Sequence, residues 1–367
     1  MSDKIVPILM PKWGLSMKEG TLAAWHVSEG TEIIPGDEIM DVETDKIANV
    51  VEAADGGLLR RCVGQAGEIY PVQALLGVMA PAEVTDSEIE EFIGSFEMPE
   101  IEEEEDASPT HLHADLEVGR IRYMHREGEG VAVIFIHGFG GDCDNWLFNV
   151  DEISTEAPVY ALDLPGHGGS TKTIVNPTVE VMVNAVVQLM DHLSLDRAHL
   201  VGHSMGGLIA GQTAVNHKDR VASLTLICAA GLGADINSEY IDGFVSAASR
   251  KELKPKLKCL FADDELVSRA MVDDLLKYKR LDGVQAFLED LKKNLFSGGK
   301  QTTSIADDLA ILNVPALVIW GSEDAVIPKA HATAIDGARV EVISDTGHMV
   351  MLENPGRVNE LIKSQLS

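Results

Sequence analysis

At 367 residues the chain exceeds one small module and corresponds to about two or three units of ordinary domain size. A hydrophobic content of 45% excludes global disorder. The formal charge of −30, from 59 acidic against 29 basic side chains, excludes a general nucleic-acid binder and a partner for anionic membranes.

The first residues, MSDKIVPILMPKWGL, lack the basic region, apolar stretch and small-residue cleavage site of an export signal, and the longest apolar runs elsewhere are strand-sized. Cys62, Cys143, Cys228 and Cys259 lie far apart without a CxxC pair, so neither a disulfide framework nor a metal site follows. The expected setting is the reducing cytoplasm.

Residues 1–80 hold short β-type runs broken by Gly, Pro and Asp: Ile5 to Met10, Thr21 to Val27, Glu38 to Val42, Ile47 to Ala53 and Gly57 to Cys62. This texture predicts an all-β barrel or sandwich with tight turns. Residues 81–110 carry 12 acids and no base, and their Glu-Glu-Glu-Glu-Asp stretch repels itself, which predicts a solvated linker reaching roughly 90 Å when stretched. Within it, Ile89, Phe92, Ile93 and Phe96 recur at helical spacing behind Asp86, so a short amphipathic helix is expected at 86–96. It docks on its neighbouring domain or serves another subunit. From about residue 131, apolar strands such as VAVIFI and PALVIWG alternate with helices, the pattern of a parallel α/β sheet buried on both faces.

Lys46 lies between the runs Glu38 to Val42 and Ile47 to Ala53, at the tip of an expected hairpin. Met10-Pro11-Lys12-Trp13-Gly14-Leu15 and Gly36-Asp37-Glu38-Ile39 with Glu43-Thr44-Asp45-Lys46 resemble the lipoyl domain over nearly all of residues 1–80. The resemblance implies lipoate in amide linkage on Lys46, and Asp45 and Ile47 stand where biotin carriers characteristically place methionines.

Gly202-His203-Ser204-Met205-Gly206 follows an apolar strand and precedes a helical stretch, the strand–turn–helix setting that a G-x-S-x-G nucleophile requires. Asp324 and His348 follow at the ends of the next strands, Ala316 to Trp320 and Val340 to Ser344. This Ser…Asp…His order resembles the α/β-hydrolase family over residues 111–367. The resemblance implies that Ser204 is the nucleophile, His348 its base and Asp324 the orienting acid, with Glu323 as the rival carboxylate. His137-Gly138-Phe139-Gly140-Gly141 resembles the family's oxyanion loop, so the N–H groups of Phe139 and Met205 are expected to receive the developing charge, and His137 to brace the loop. Residues of about 235–305 read as a helical lid. There Arg250, Lys251, Lys254, Lys256 and Lys258 form either a solvated helix face or contacts for coenzyme A phosphates. No metal is expected.

The fold class is therefore multidomain: a lipoyl barrel at 1–80, an acidic linker at 81–110 and an α/β-hydrolase domain at 111–367. The pairing resembles the dihydrolipoyllysine-residue acetyltransferases of acetoin-cleaving dehydrogenase complexes. It implies acetyl transfer from dihydrolipoyl-lysine to coenzyme A through an acetyl-serine. The implied partners are thiamine-diphosphate-dependent subunits, dihydrolipoyl dehydrogenase and a lipoate-attaching enzyme, within an oligomer. Two marks of the usual lipoyl acyltransferases are absent from the sequence, the His-x-x-x-Asp-Gly motif and the basic subunit-binding module between residues 81 and 120. The competing reading is an esterase, thioesterase or carbon–carbon hydrolase that carries a lipoyl docking module, because water and thiols use the same triad.

Overall fold

The computed structural model describes residues 5–11, 19–43, 48–53, 55–96 and 110–366. The chain forms two compact units, Met1–Ser108 and Pro109–Ser367.

Among the described residues, the first unit contains β1 (Val6–Leu9), β2 (Glu19–Trp25), β3 (Glu32–Ile33), β4 (Glu38–Glu43), β5 (Ala48–Glu52), β6 (Gly57–Cys62), β7 (Ile69–Pro71) and β8 (Leu75–Met79). They make two four-stranded antiparallel sheets, ordered β1-β8-β6-β3 and β5-β4-β2-β7. Ile8, Leu22, Met40, Val42, Leu59 and Leu76 from both sheets meet in one core. Alternation along β2 and β4 is what directs one face of each strand inward.

Residues 81–96 were grouped with the acidic linker on composition, yet they pack on this β unit. Thr85 caps α1 (Asp86–Ser95), and Glu88 reaches back to the Thr85 N–H to complete a capping box. The apolar stripe is the physical reason for docking: Ile89 is fully buried among Leu75, Val78, Ala80 and Val84, with Phe92, Ile93 and Phe96 beside it. Arg60 and Arg61 meet Asp86 and Glu90 at 2.9 and 3.0 Å on the rim. Ile89→Ala is expected to destabilise this packing by about 2–5 kcal/mol, the range for emptying a buried Ile site. Amide exchange in the full chain checks it, through faster exchange across residues 86–95.

The second unit opens with the hairpin β9 (Thr110–Leu116) and β10 (Gly119–Arg126), followed by β11 (Ala132–Ile136), α2 (Leu147–Ser154), β12 (Val159–Leu162), α3 (Val179–His192), β13 (Ala198–His203), α4 (Met205–Asn216) and β14 (Val221–Ile227). Then come α5 (Ser238–Ser246), α6 (Arg250–Lys258), α7 (Arg269–Lys279), α8 (Val284–Leu295) and the two-residue strands β15 (Phe296–Ser297) and β16 (Lys300–Gln301). The chain closes with α9 (Ala306–Leu312), β17 (Ala316–Gly321), β18 (Arg339–Ile343), α10 (Val350–Glu353) and α11 (Pro355–Leu366).

The eight-stranded sheet runs β18-β17-β14-β13-β11-β12-β10-β9, in which β10 alone runs against the other strands. All five residues of β11 are buried, as expected of a strand covered on both faces. The carboxyl ends of β11, β13, β17 and β18 lead directly into the loop that begins at His137, the Ser204 turn, the Asp324 loop and the His348 loop. Open parallel sheets present their reactive groups at that edge.

Helices α5 to α8 occupy the expected lid segment. Their joint is a buried lysine: Lys279 on α7 donates to the carbonyls of Phe244, Val245 and Ala247 at the end of α5. Burial lowers its pKa to about 8.

Candidate active site

Ser204 sits between β13 and α4 at φ +53°, a left-handed conformation that a side-chain-bearing residue adopts only where its surroundings impose it. The surroundings here are a pair of tight glycine contacts. A Cβ on Gly202 would lie 2.2 Å from the Gly206 carbonyl oxygen, and one on Gly206 would lie 2.1 Å from the Ile136 oxygen. The turn is therefore closed by the absence of side chains on either side of the serine, which stays partly exposed. Met205 opens α4, so its N–H is one of the first-turn donors that a helix cannot satisfy internally.

His348 is held from several directions. Its Nδ1 donates to Asp324 Oδ2 at 2.8 Å, and both side chains are almost wholly buried. Asp324 Oδ1 accepts the N–H groups of Val326 and Ile327 at 2.8 and 2.9 Å. Burial opposes the Asp324 charge, but the neighbouring His348 and these donors outweigh it and hold the carboxyl below its ordinary range. Glu323, the rival acid, is exposed and accepts from the Ser322 hydroxyl. The geometry thus brings Asp324 and not Glu323 to His348. Asp324→Asn is expected to reduce turnover by about 10⁴-fold, the effect of losing the correct tautomer, whereas Glu323→Gln leaves it within about twofold. Steady-state kcat for both variants decides the assignment.

Two further residues that the sequence does not single out support this histidine. His203 donates from Nε2 to the His348 carbonyl at 2.9 Å, and burial, then the adjacent His348, lowers its pKa to about 3, so it stays neutral. Glu353 on α10 accepts the Gly347 N–H at 2.6 Å and the Ala262 N–H at 2.8 Å, tying the histidine loop to the lid. The only local sign of His203 is its place inside G-x-S-x-G, and Glu353 leaves none, because each acts on residues distant in the chain.

The loop after β11 is braced by two other histidines. His137 donates from Nδ1 to Gly138 O at 2.8 Å and accepts the Leu164 N–H at Nε2, 3.0 Å away. His167 accepts the Gly140 N–H at 3.2 Å. Burial lowers both pKa values and keeps the rings neutral. Beneath them Asp163 is buried against Arg122; desolvation works against its charge, but the guanidinium wins and holds the pKa at about 2.

Ser204, His348, Phe139 and Met205 all line one cavity of about 400 Å³ between the sheet edge and the lid. The basic cluster of α6 is mostly engaged with lid carboxylates. Arg250 pairs with Asp273, Lys256 with Glu239 at 2.9 Å and Lys258 with Asp264 at 2.8 Å. Lys251 and Lys254 are exposed and without an ion pair among the described residues. Lys46 lies outside the described residues. The strands flanking it pair antiparallel, with Glu43 opposite Ala48, so the connection that contains this lysine joins two adjacent strands. Two trios of potential metal donors occur among the described residues: His111, Cys143 and Asp144, and Cys228 with Asp324 and His348. Burial raises the thiols of Cys143 and Cys228 well above their ordinary range.

Residues 131–355 match the alpha/beta hydrolase fold, and residues 6–79 match the biotin-requiring enzyme model. A dihydrolipoyllysine-residue acetyltransferase component of the acetoin cleaving system from Cupriavidus necator is 52% identical over 100% of this chain and 98% of its own length. A protein of the same description from Pseudomonas putida is 44% identical over 98% and 97%. Among solved structures, a meta-cleavage product hydrolase from Pseudomonas fluorescens superposes with a TM-score of 0.62 at 25% identity, covering 69% of this chain and 96% of that one.

Proposed function

The chain belongs to the dihydrolipoyllysine-residue acetyltransferase components of acetoin-cleaving systems, and from that premise we propose that Ser204, His348 and Asp324 move the acetyl group through an acetyl-serine intermediate. Lipoate on the lysine of the β unit and coenzyme A are the cofactor and co-substrate of this family's reaction. When bound to Lys46, the lipoyl group supplies the thiol that carries the acetyl unit.

Ser204 Oγ attacks the thioester carbonyl while His348 takes its proton, and the N–H groups of Phe139 and Met205 receive the oxygen as it becomes negative, each contributing about 3 kcal/mol. His348 returns the proton to the departing sulfur. It then accepts the proton of the second thiol, coenzyme A, whose sulfur attacks the acetyl-serine, and returns that proton to Ser204 Oγ as the acyl C–O bond breaks. Asp324 keeps the imidazole in the tautomer that performs both transfers. Lys251 and Lys254 are the cations of α6 proposed to contact coenzyme A phosphates, with Arg250, Lys256 and Lys258 completing a positive face already balanced by acids.

The observation that carries this reading is that His348, paired with the buried Asp324, lines the same cavity as a serine held in a strained turn. The relatives' membership of acetoin-cleaving systems supports a multienzyme setting, for which the proposed partners are thiamine-diphosphate-dependent subunits as acetyl source and dihydrolipoyl dehydrogenase to reoxidise the spent dithiol, with the cytoplasm as the proposed compartment. Among the described residues no helix is long and apolar enough to cross a membrane. Single-turnover reaction with acetyl-dihydrolipoamide tests the mechanism: an acetyl adduct on Ser204 and acetyl-coenzyme A as product are expected. Acetate as the sole product overturns transfer, and absence of the adduct overturns the acetyl-serine.

A further inference from the structure

We propose that the cavity at Ser204 accepts neutral aliphatic acyl groups of about four to eight carbons as well as acetyl, which makes the chain an acyltransferase of broad chain length. This rests on the acyl-serine reading above and concerns the part of the site that acetyl does not fill.

Size is the first argument. A cavity of about 150 Å³ holds a six-carbon ring, and the space here is about 400 Å³. An acetyl group places a single methyl in it. The two thiols of the cycle bring their sulfur to the same point in turn, so only one of them occupies the cavity at a time. With room of one ring's size set aside for the chain behind that sulfur, about as much or more remains beside the serine.

The wall of that space is the second argument. Met205 and Leu208 come from α4, Ile236 from the approach to the lid, Ile241 and Phe244 from α5, and Phe296 from β15. Phe139, the proposed oxyanion donor, has its ring edge-on to Phe244 and Phe296 at 5.8 and 6.2 Å. The carbonyl group thus begins next to an apolar aromatic surface that an acetyl methyl leaves largely uncovered. Each methylene laid against such a surface favours the bound acyl group about fourfold. Asp142, Asp144 and Asp274 also line the cavity. The carboxylates of Asp144 and Asp274 repel an acyl group that ends in its own carboxylate, whereas burial raises the Asp142 pKa to about 7.

The chemistry is balanced without any added redox reagent. The acyl C–S bond of the donor breaks as the Ser204 C–O bond forms and the donor thiol takes the proton; coenzyme A then reverses the exchange, giving acyl-coenzyme A and free serine.

The experiment uses the full-length chain with free acetyl-, butyryl-, hexanoyl-, octanoyl- and succinyl-dihydrolipoamide plus coenzyme A, reading each acyl-coenzyme A by mass spectrometry. Expected are kcat/KM values for butyryl and hexanoyl above that for acetyl, and succinyl at least tenfold below butyryl. Transfer of acetyl with butyryl about a hundredfold slower overturns this inference and leaves the acyl-serine reading standing, whereas failure of acetyl itself overturns both. Ile236→Trp narrows the wall at a partly exposed position and is expected to lower the hexanoyl-to-acetyl ratio at least tenfold within one sample, so that the result does not depend on the folded fraction. An unchanged ratio overturns the placement of the tail along this wall.

Discussion

Replacing Ser204 with alanine is expected to lower acetyl transfer at least about 10⁴-fold. The members of a triad act as a unit, so removing the nucleophile alone forfeits nearly all of their joint effect. What survives is the background that the oxyanion donors and substrate positioning provide. The folding cost of the change is small, because the hydroxyl is partly exposed and the strain of φ +53° is imposed by the glycine contacts rather than by the side chain. Unaltered thermal unfolding with lost turnover is therefore the expected pair of measurements, together with normal lipoate incorporation into the β unit. Full activity in this variant places the chemistry on another residue.

Lys46→Arg carries the other large effect. An arginine keeps the charge but offers no amine that forms the amide, so acetyl delivery from the assembled complex should fall to background, a loss of several orders of magnitude. Free acetyl-dihydrolipoamide should react at the wild-type rate, since the triad lies wholly in the second unit. Comparing the two substrates on one preparation separates delivery from chemistry. Parallel loss of both points instead to misfolding or to a direct catalytic role for Lys46, and thermal unfolding of the same preparation separates the two.

The residues proposed as reactive stand out in the sequence because each lies at the end of an apolar strand and in a short motif that constrains its backbone. Asp324 needed the structure for its final choice over Glu323: adjacent carboxylates differ in which way the loop turns them, and only one receives the Val326 and Ile327 N–H groups. His203 and Glu353 escaped detection for a related reason, since their contacts join segments 145 and 91 positions apart. Strand β8 was also missed. Its five residues are all buried, so it shows no alternation, and Gly77 interrupts what would otherwise read as a β run. The hairpin β9–β10 was missed too, as its many polar side chains obscure its period. In the lid, the run of positive charges was plain, but the acids that neutralise it, Asp273, Glu239 and Asp264, come from other turns of the chain.

Docking of α1 on the carrier has a bearing on search geometry. With that helix riding on the β unit, thirteen residues, 97–109, separate Phe96 from Thr110. No arrangement of them spans more than about 45 Å, half the reach of the whole acidic segment.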